Sequence, residues 1–173
     1  MKILGIGIIA FFLFALQRRI YQKLWNRNLK VSVTFSQKGI TEGEEGEIVE
    51  VIENRKWLPL TMLKVKFQTS RNLEFADNPG SNTTDQYYRN DIFQIGGGER
   101  ITRKLKFVGK KRGYYHIKNI DLVGADLFLT SEQVESMSTN CYLYVYPRMY
   151  DSKEFRMSLQ KLNGEVIVKR HLL

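Results

Sequence analysis

The chain has 173 residues, 43% of them apolar and 12% aromatic, which is enough to fill one core of ordinary domain size and too much for a disordered chain. Its formal charge of +9 invites a nucleic-acid reading, because clustered Lys and Arg attract phosphate backbones. The distribution of that charge argues otherwise: the first 28 residues hold Lys2, Arg18, Arg19, Lys23 and Arg27 and no acid, leaving only +4 for the rest.

Ile3 to Leu16, ILGIGIIAFFLFAL, is an uncharged apolar run that includes Phe11. As a helix it covers about 21 Å, short of a bilayer core, and the spacing predicts that Lys2, Arg18 and Arg19 snorkel while the following aromatics sit in the interface. A secretory signal peptide competes with this reading. The weak positive end before the run, and the lack of a small-x-small pattern after it, favour an uncleaved anchor. One Lys precedes the span and five basic residues follow closely, Arg18 to Lys30, so the charge bias predicts a cytoplasmic globular part. Ile20, Tyr21, Leu24 and Trp25 form an apolar stripe opposite Arg19, Lys23 and Arg27, which reads as a basic amphipathic collar for anionic headgroups or as a solvated linker helix. Residues 1–28 are therefore expected to be the anchor, with Ile3, Phe11 and Leu16 in the bilayer, Arg18 and Arg19 at its headgroups and Trp25 in its interface.

From Leu29 the apolar period changes to two. Leu29, Val31, Val33 and Phe35 alternate with polar residues, and strand patterns recur at EIVEVIEN, Leu63 to Phe67, QYYRNDIFQI, Ile101 to Phe107, YYHIKNIDL and CYLYVY. Gly39, Gly43 and Gly46, Asn78-Pro79-Gly80-Ser81, Gly96 to Gly98 and Gly109 to Gly113 punctuate them, and Pro147 stops the last. About seven short strands with no helix between them predict an antiparallel, immunoglobulin-like β-sandwich over residues 29–147. Residues 148–173 read as a connector to a part absent from this chain, with a short helix around Met157 and Leu159 to Leu162 ended by Asn163-Gly164.

Sites for chemistry are sparse. The single cysteine, Cys141, excludes an intramolecular disulfide and a thiolate zinc cluster, and its alternation with Tyr142, Tyr144 and Tyr146 predicts a buried structural thiol. His116, within a strand, and His171 form no spaced metal pair and no triad. GIGIIA and IGGGER lack the strand-to-helix setting of a phosphate cradle. Glu42, Glu44, Glu45 and Glu47 lack calcium-loop spacing and read as a solvated hairpin. Asn82-Thr83-Thr84 matches a glycosylation triplet that a cytosolic domain would not use. KKRGYY with Lys104, Lys106 and Lys118 could grip a single strand. The interspersed Asp91, Glu99 and Asp121 instead favour a charged sheet edge that resists aggregation, or a docking face for a protein. No enzyme activity, cofactor or metal is expected.

An N-terminal membrane segment, a β-sandwich, Lys111-Arg112-Gly113 ahead of a strand, Gly124-Ala125-Asp126-Leu127-Phe128, and Val145-Tyr146-Pro147 together resemble the bacterial family called domain of unknown function fifty-eight. In that family the Arg-Gly turn precedes an Asp-Pro-Phe-Gly-Leu loop and then a strand ending in Tyr-Pro. Here Asp126 fits, Leu127 replaces the Pro and the Gly is missing. The family pattern usually continues into a domain similar to a von Willebrand A fold, which these residues do not contain. The resemblance implies a MoxR-type AAA+ ATPase as partner, and it makes Arg112, Gly113 and Asp126 strand-corner residues. The resulting expectation is a non-enzymatic, membrane-anchored protein whose cytosolic sandwich binds proteins, with Lys110, Lys111, Arg112 and Asp126 as its interaction surface. The alternatives are an exported envelope or adhesion sandwich behind an uncleaved signal anchor, and a membrane-tethered nucleic-acid binder.

Overall fold

The computed structural model describes residues 2–76, 81–83 and 86–149. The expected turn at Asn78-Pro79-Gly80, the Asn-Thr-Thr triplet beyond Thr83, the short helix around Met157, and His171 lie outside them.

One helix among the described residues, α1 (Lys2–Leu24), precedes the strands. Its 23 residues span about 34 Å, so apolar run and basic collar form one rod rather than two pieces. Ten strands follow: β1 (Leu29–Phe35), β2 (Gly39–Thr41), β3 (Glu45–Asn54), β4 (Leu60–Ser70), β5 (Leu73–Phe75), β6 (Ser81–Thr83), β7 (Gln86–Ile95), β8 (Arg100–Gly109), β9 (Gly113–Ala125) and β10 (Glu132–Tyr146). They form two sheets, ordered β1-β3-β8-β5 and β2-β10-β9-β4-β7-β6. This is the expected β-sandwich, with two corrections. There are ten strands among the described residues, not seven, because three of them are only three residues long and too short to display a period. The sheets are also not wholly antiparallel, since β2 runs parallel to the end of β10, pairing Gly39 with Tyr144 and Thr41 with Tyr146.

The period-two stripes meet between the sheets. Ile48 and Ile52 of β3, Leu63 and Val65 of β4, Phe107 of β8 and Ile117 of β9 are all buried in one core, and Cys141 joins them. Burial raises the Cys141 thiol above its ordinary pKa, as befits a structural thiol. In β9 the alternation slips, with Lys118 and Asn119 both exposed, opposite a register shift between Ser138 and Cys141 of β10.

Polar side chains also enter this interior. Glu50, Arg89 and Asp91 are buried on inward positions of β3 and β7. The Arg89 guanidinium clasps Asp91 through Nε and Nη2, the latter 3.2 Å from Oδ1, and lies 5.1 Å above the Phe75 ring. Arg103 of β8 reaches Asp91 from the facing sheet at 2.9 Å. The ion cluster therefore ties the two sheets together across the core.

The sandwich has two ends. Residues 28–29, 54–60, 95–100 and 124–132 gather at one, where α1 arrives, as the pairings Leu29 with Asn54, Leu60 with Ile95 and Glu132 with Ala125 require. The β2 segment, the turn between β8 and β9 and the end of β10 lie at the other. These are called the proximal and distal ends below.

Candidate interaction face and the docked anchor

The last turns of α1 do not stand free. Phe14, Gln17, Tyr21 and Trp25 recur at three- and four-residue spacing and so share one helix face. The Phe14 ring lies 5.9 Å from that of Phe128, tilted by 31°, Gln17 Nε2 donates to Asp126 Oδ2 at 3.3 Å, and Tyr21 Oη donates to the Pro59 carbonyl at 3.0 Å. The Trp25 indole lies against Gly124, where a Cβ would come within 2.3 Å of the ring. Tyr21 and Trp25 are as buried as the sandwich core they join. This corrects the placement of Trp25 in the membrane interface: the apolar stripe of the collar has a protein partner, a groove made by the absent side chain of Gly124. Arg18 and Arg19 remain exposed, as do Phe11 at 69% and Leu16 at 56%. Ile3 continues the same helix.

Of the expected interaction surface, the structure brings only three residues together. Lys110, Lys111 and Arg112 are exposed at the distal end, where Lys110 Nζ pairs with Glu74 at 2.7 Å and Tyr115 Oη donates to the Lys111 carbonyl. Gly113 adopts φ 159°, close to extended backbone. Asp126 is at the proximal end, beyond the other terminus of the 13-residue β9, and so about 40 Å away. It is also buried. Its carboxylate accepts from Thr130 N and Thr130 Oγ1, both at 2.6 Å, from Ser131 N at 3.1 Å and from Gln17. Burial pushes the Asp126 carboxyl up, but the hydrogen bonds outweigh it and hold the group below its ordinary value. Asp126 is therefore a loop-fixing residue, as its strand-corner assignment implies, and not part of a surface shared with the basic turn.

Sequence patterning does not single out a different set. Tyr114 and His116 of β9, with Tyr142, Tyr144 and Tyr146 of β10, project from the outer face of the six-stranded sheet. Tyr114 lies 5.5 Å from His116, 6.1 Å from Tyr142 and 5.1 Å from Tyr144, and Tyr144 lies 6.4 Å from Tyr146. Tyr114, Tyr144 and Tyr146 are about half exposed. Tyr146 extends over Gly39 of β2, whose missing side chain makes room for the ring. The register explains the cluster: Tyr144 pairs with Tyr114 and Tyr142 with His116, so alternation on two neighbouring strands stacks their outward residues. The basic turn is contiguous with it, since Gly113 precedes Tyr114 and pairs with Val145. The signal lay in CYLYVY and GYYH, but only pairing shows that the two motifs are neighbours. Rigid, half-exposed tyrosines bring a large amphipathic contact area at small entropic cost, which is the composition of protein-binding hot spots.

A second unusual group lies near the anchor. Lys56, in the proximal loop beside Leu24 and Arg27, is buried, and its Nζ has no hydrogen-bond partner among the described residues. Burial pushes its pKa down from 10.5 to about 8. Between those values the unfolded chain holds a proton that the folded chain has lost, so raising the pH stabilises the fold. Below about pH 8 both states are protonated and the burial penalty is constant. Chemical denaturation from about pH 7 to about pH 11 should show this gain in the native chain and lose it in Lys56→Met, with the variant the more stable at neutral pH.

Among the described residues no three His, Cys, Asp or Glu side chains gather as a metal site. Glu44 accepts from Thr41 N at 2.6 Å, and Glu47 faces Lys104 at 3.6 Å.

No protein-family model matches the chain, and no curated protein matches it. Among solved structures it is similar to the sporulation control protein Spo0M of Bacillus subtilis (11% identity, TM-score 0.38, covering 70% of this chain and 50% of that one). It is also similar to a cohesin module of a Clostridium perfringens family 33 glycoside hydrolase (8%, TM-score 0.40, 70% and 97%). A third likeness is to an exo-β-N-acetylglucosaminidase of Vibrio harveyi (8%, TM-score 0.46, 71% and 19%). The chain thus spans about half the length of the first of these. The class that fold and helix define is a β-sandwich protein carrying one N-terminal helix long and apolar enough to cross a membrane.

Proposed function

We propose that this chain is a non-enzymatic, single-pass membrane protein whose sandwich stands on the cytosolic side and recruits a protein partner through the tyrosine face and the adjoining basic turn. The observation that carries the reading is the cluster of Tyr114, His116, Tyr144 and Tyr146, exposed around the partly buried Tyr142 on two neighbouring strands toward the end of the sandwich away from the anchor. Helix docking supports it, because an anchor packed into the domain holds that face at a set height above the bilayer. The excess of basic residues after the apolar run supports the cytosolic side. The resemblance to domain of unknown function fifty-eight supplies the partner's class, a MoxR-like AAA+ ATPase.

Copurification from native membranes tests the reading. Replacing Tyr114 and Tyr144 together by Ala should lower recovery of the principal partner about tenfold or more, as loss of paired hot-spot residues does, while the far-ultraviolet spectrum stays β-rich. Charge reversal at Lys110, Lys111 and Arg112 should slow capture and make it less salt-sensitive. An unchanged partner set on a folded double variant defeats the proposal. Reporter fusions after Pro147 check the membrane side independently.

A further inference from the structure

We propose that the loop Leu127-Phe128-Leu129 enters the bilayer beside α1, giving the sandwich a second point of contact with lipid. The inference rests on the membrane-spanning reading of α1. Three consecutive apolar side chains at the tip of the β9–β10 loop are exposed, Leu127 at 44%, Phe128 at 58% and Leu129 at 56%. Elsewhere on a water-facing surface such a run is a liability; here it is continuous with the exposed apolar side of the helix, through Phe14 and Phe128.

Depth follows from the helix. Phe14 lies one turn, about 6 Å, before Arg18, whose side chain, like that of Arg19, is exposed and suited to phosphate headgroups. The loop tip stands level with Phe14 and hence on the hydrocarbon side of those arginines. The exposed apolar part of the helix, from Leu4 to Leu16, covers only about 20 Å of a core about 30 Å thick, so the bilayer and the proximal end of the sandwich are drawn together.

The loop is also built to present its tip. Leu129 N donates to the Asp126 carbonyl, Asp126 N donates to the Ser131 carbonyl, and the Asp126 carboxylate is spent on Thr130, Ser131 and Gln17. The only acid within the loop is thereby turned away from lipid. Glu132, the next acid, is neutralised by Lys64 at 2.7 Å. Leu129 adopts φ 57°, a left-handed conformation that leucine reaches only against its own preference, and in doing so it points an apolar side chain outward where Asn or Gly would serve a water-exposed turn better.

Site-directed spin labelling of the full chain in phosphatidylcholine–phosphatidylglycerol vesicles tests the proposal. Labels at Phe128→Cys and, separately, Leu127→Cys, in a Cys141→Ala background, are compared with labels at Phe11→Cys and Tyr144→Cys by power saturation with oxygen and with an aqueous nickel chelate. The expected result is an oxygen-to-nickel accessibility ratio at positions 127 and 128 several-fold above that at 144 and approaching that at 11. A ratio equal to that at 144, with 11 still lipid-exposed, overturns the loop proposal and leaves the anchor standing. Aqueous accessibility at 11 as well overturns both. Shielding of 127 and 128 from both reagents shows a protein covering the tip and overturns lipid contact. Should the Cys141→Ala background fail to fold, Phe128→Trp with native Cys141 separates the same outcomes: brominated-lipid quenching beyond that of the native chain supports lipid contact, and quenching no greater than native overturns it.

Discussion

Trp25→Ala detaches the helix from the sandwich and lowers the stability of the full chain by about 3–5 kcal/mol, the range for deleting a buried indole. Trp25 is 5% exposed and fills the space that Gly124 leaves. What then holds the rod is the buried Tyr21 with its hydrogen bond to Pro59, the flanking Ile20 and Leu24, and, nearer the bilayer, the Gln17–Asp126 and Phe14–Phe128 contacts. The strand pairings do not run through the indole, so β-sheet signal should persist while amide exchange accelerates at residues 20–28. The reciprocal change, Gly124→Ala, puts a methyl where the ring lies and should cost about 1–3 kcal/mol by overpacking. Thermal melts in detergent with hydrogen-exchange mass spectrometry measure both. A Trp25→Ala melt within experimental error of the native chain means that docking adds nothing and that the face is not held at a set height.

Asp91→Ala should be comparably severe. Asp91 and Arg89 are each at most 3% exposed, and Asp91 also receives Arg103 from the opposite sheet. Removing the carboxylate takes from the buried Arg89 and from Arg103 the Asp91 partner that both contact, a loss of about 3–5 kcal/mol in comparable buried pairs. The informative companion is the double replacement Arg89→Met with Asp91→Leu, which removes both members of this pair with their desolvation cost while Glu50 and Arg103 remain, and should recover part of the loss. Urea denaturation followed by circular dichroism gives both values. If the double variant is as unstable as Asp91→Ala, the cluster acts through shape and not through charge balance.

Both the ion cluster and the docked indole lie where local sequence stops being informative. In QYYRNDIFQI the period of two is plain, but Tyr87, Arg89, Asp91, Phe93 and Ile95 alternate with Tyr88, Asn90, Ile92 and Gln94, and each set mixes apolar with polar residues. Register with β4 turns the first set inward. Ile20, Tyr21, Leu24 and Trp25 present a similar ambiguity: one apolar stripe fits a lipid surface or a protein groove equally well, and the groove exists only because Gly124, far along the chain, arrives beside it. Asp126 shows the reverse case. Its corner role agrees with what the family resemblance implies, whereas its distance from the basic turn depends on the length of β9.

Local chain statistics alone settle the strand-rich character of residues 29–147, the apolar helix ahead of them and the buried thiol at Cys141, because periodicity and hydrophobic runs act through neighbours in the chain. Which face of β7 is buried, what Trp25 packs on and which tyrosines share a surface were decided by tertiary structure, because each depends on pairing between residues far apart in sequence, and burial is a property of both partners.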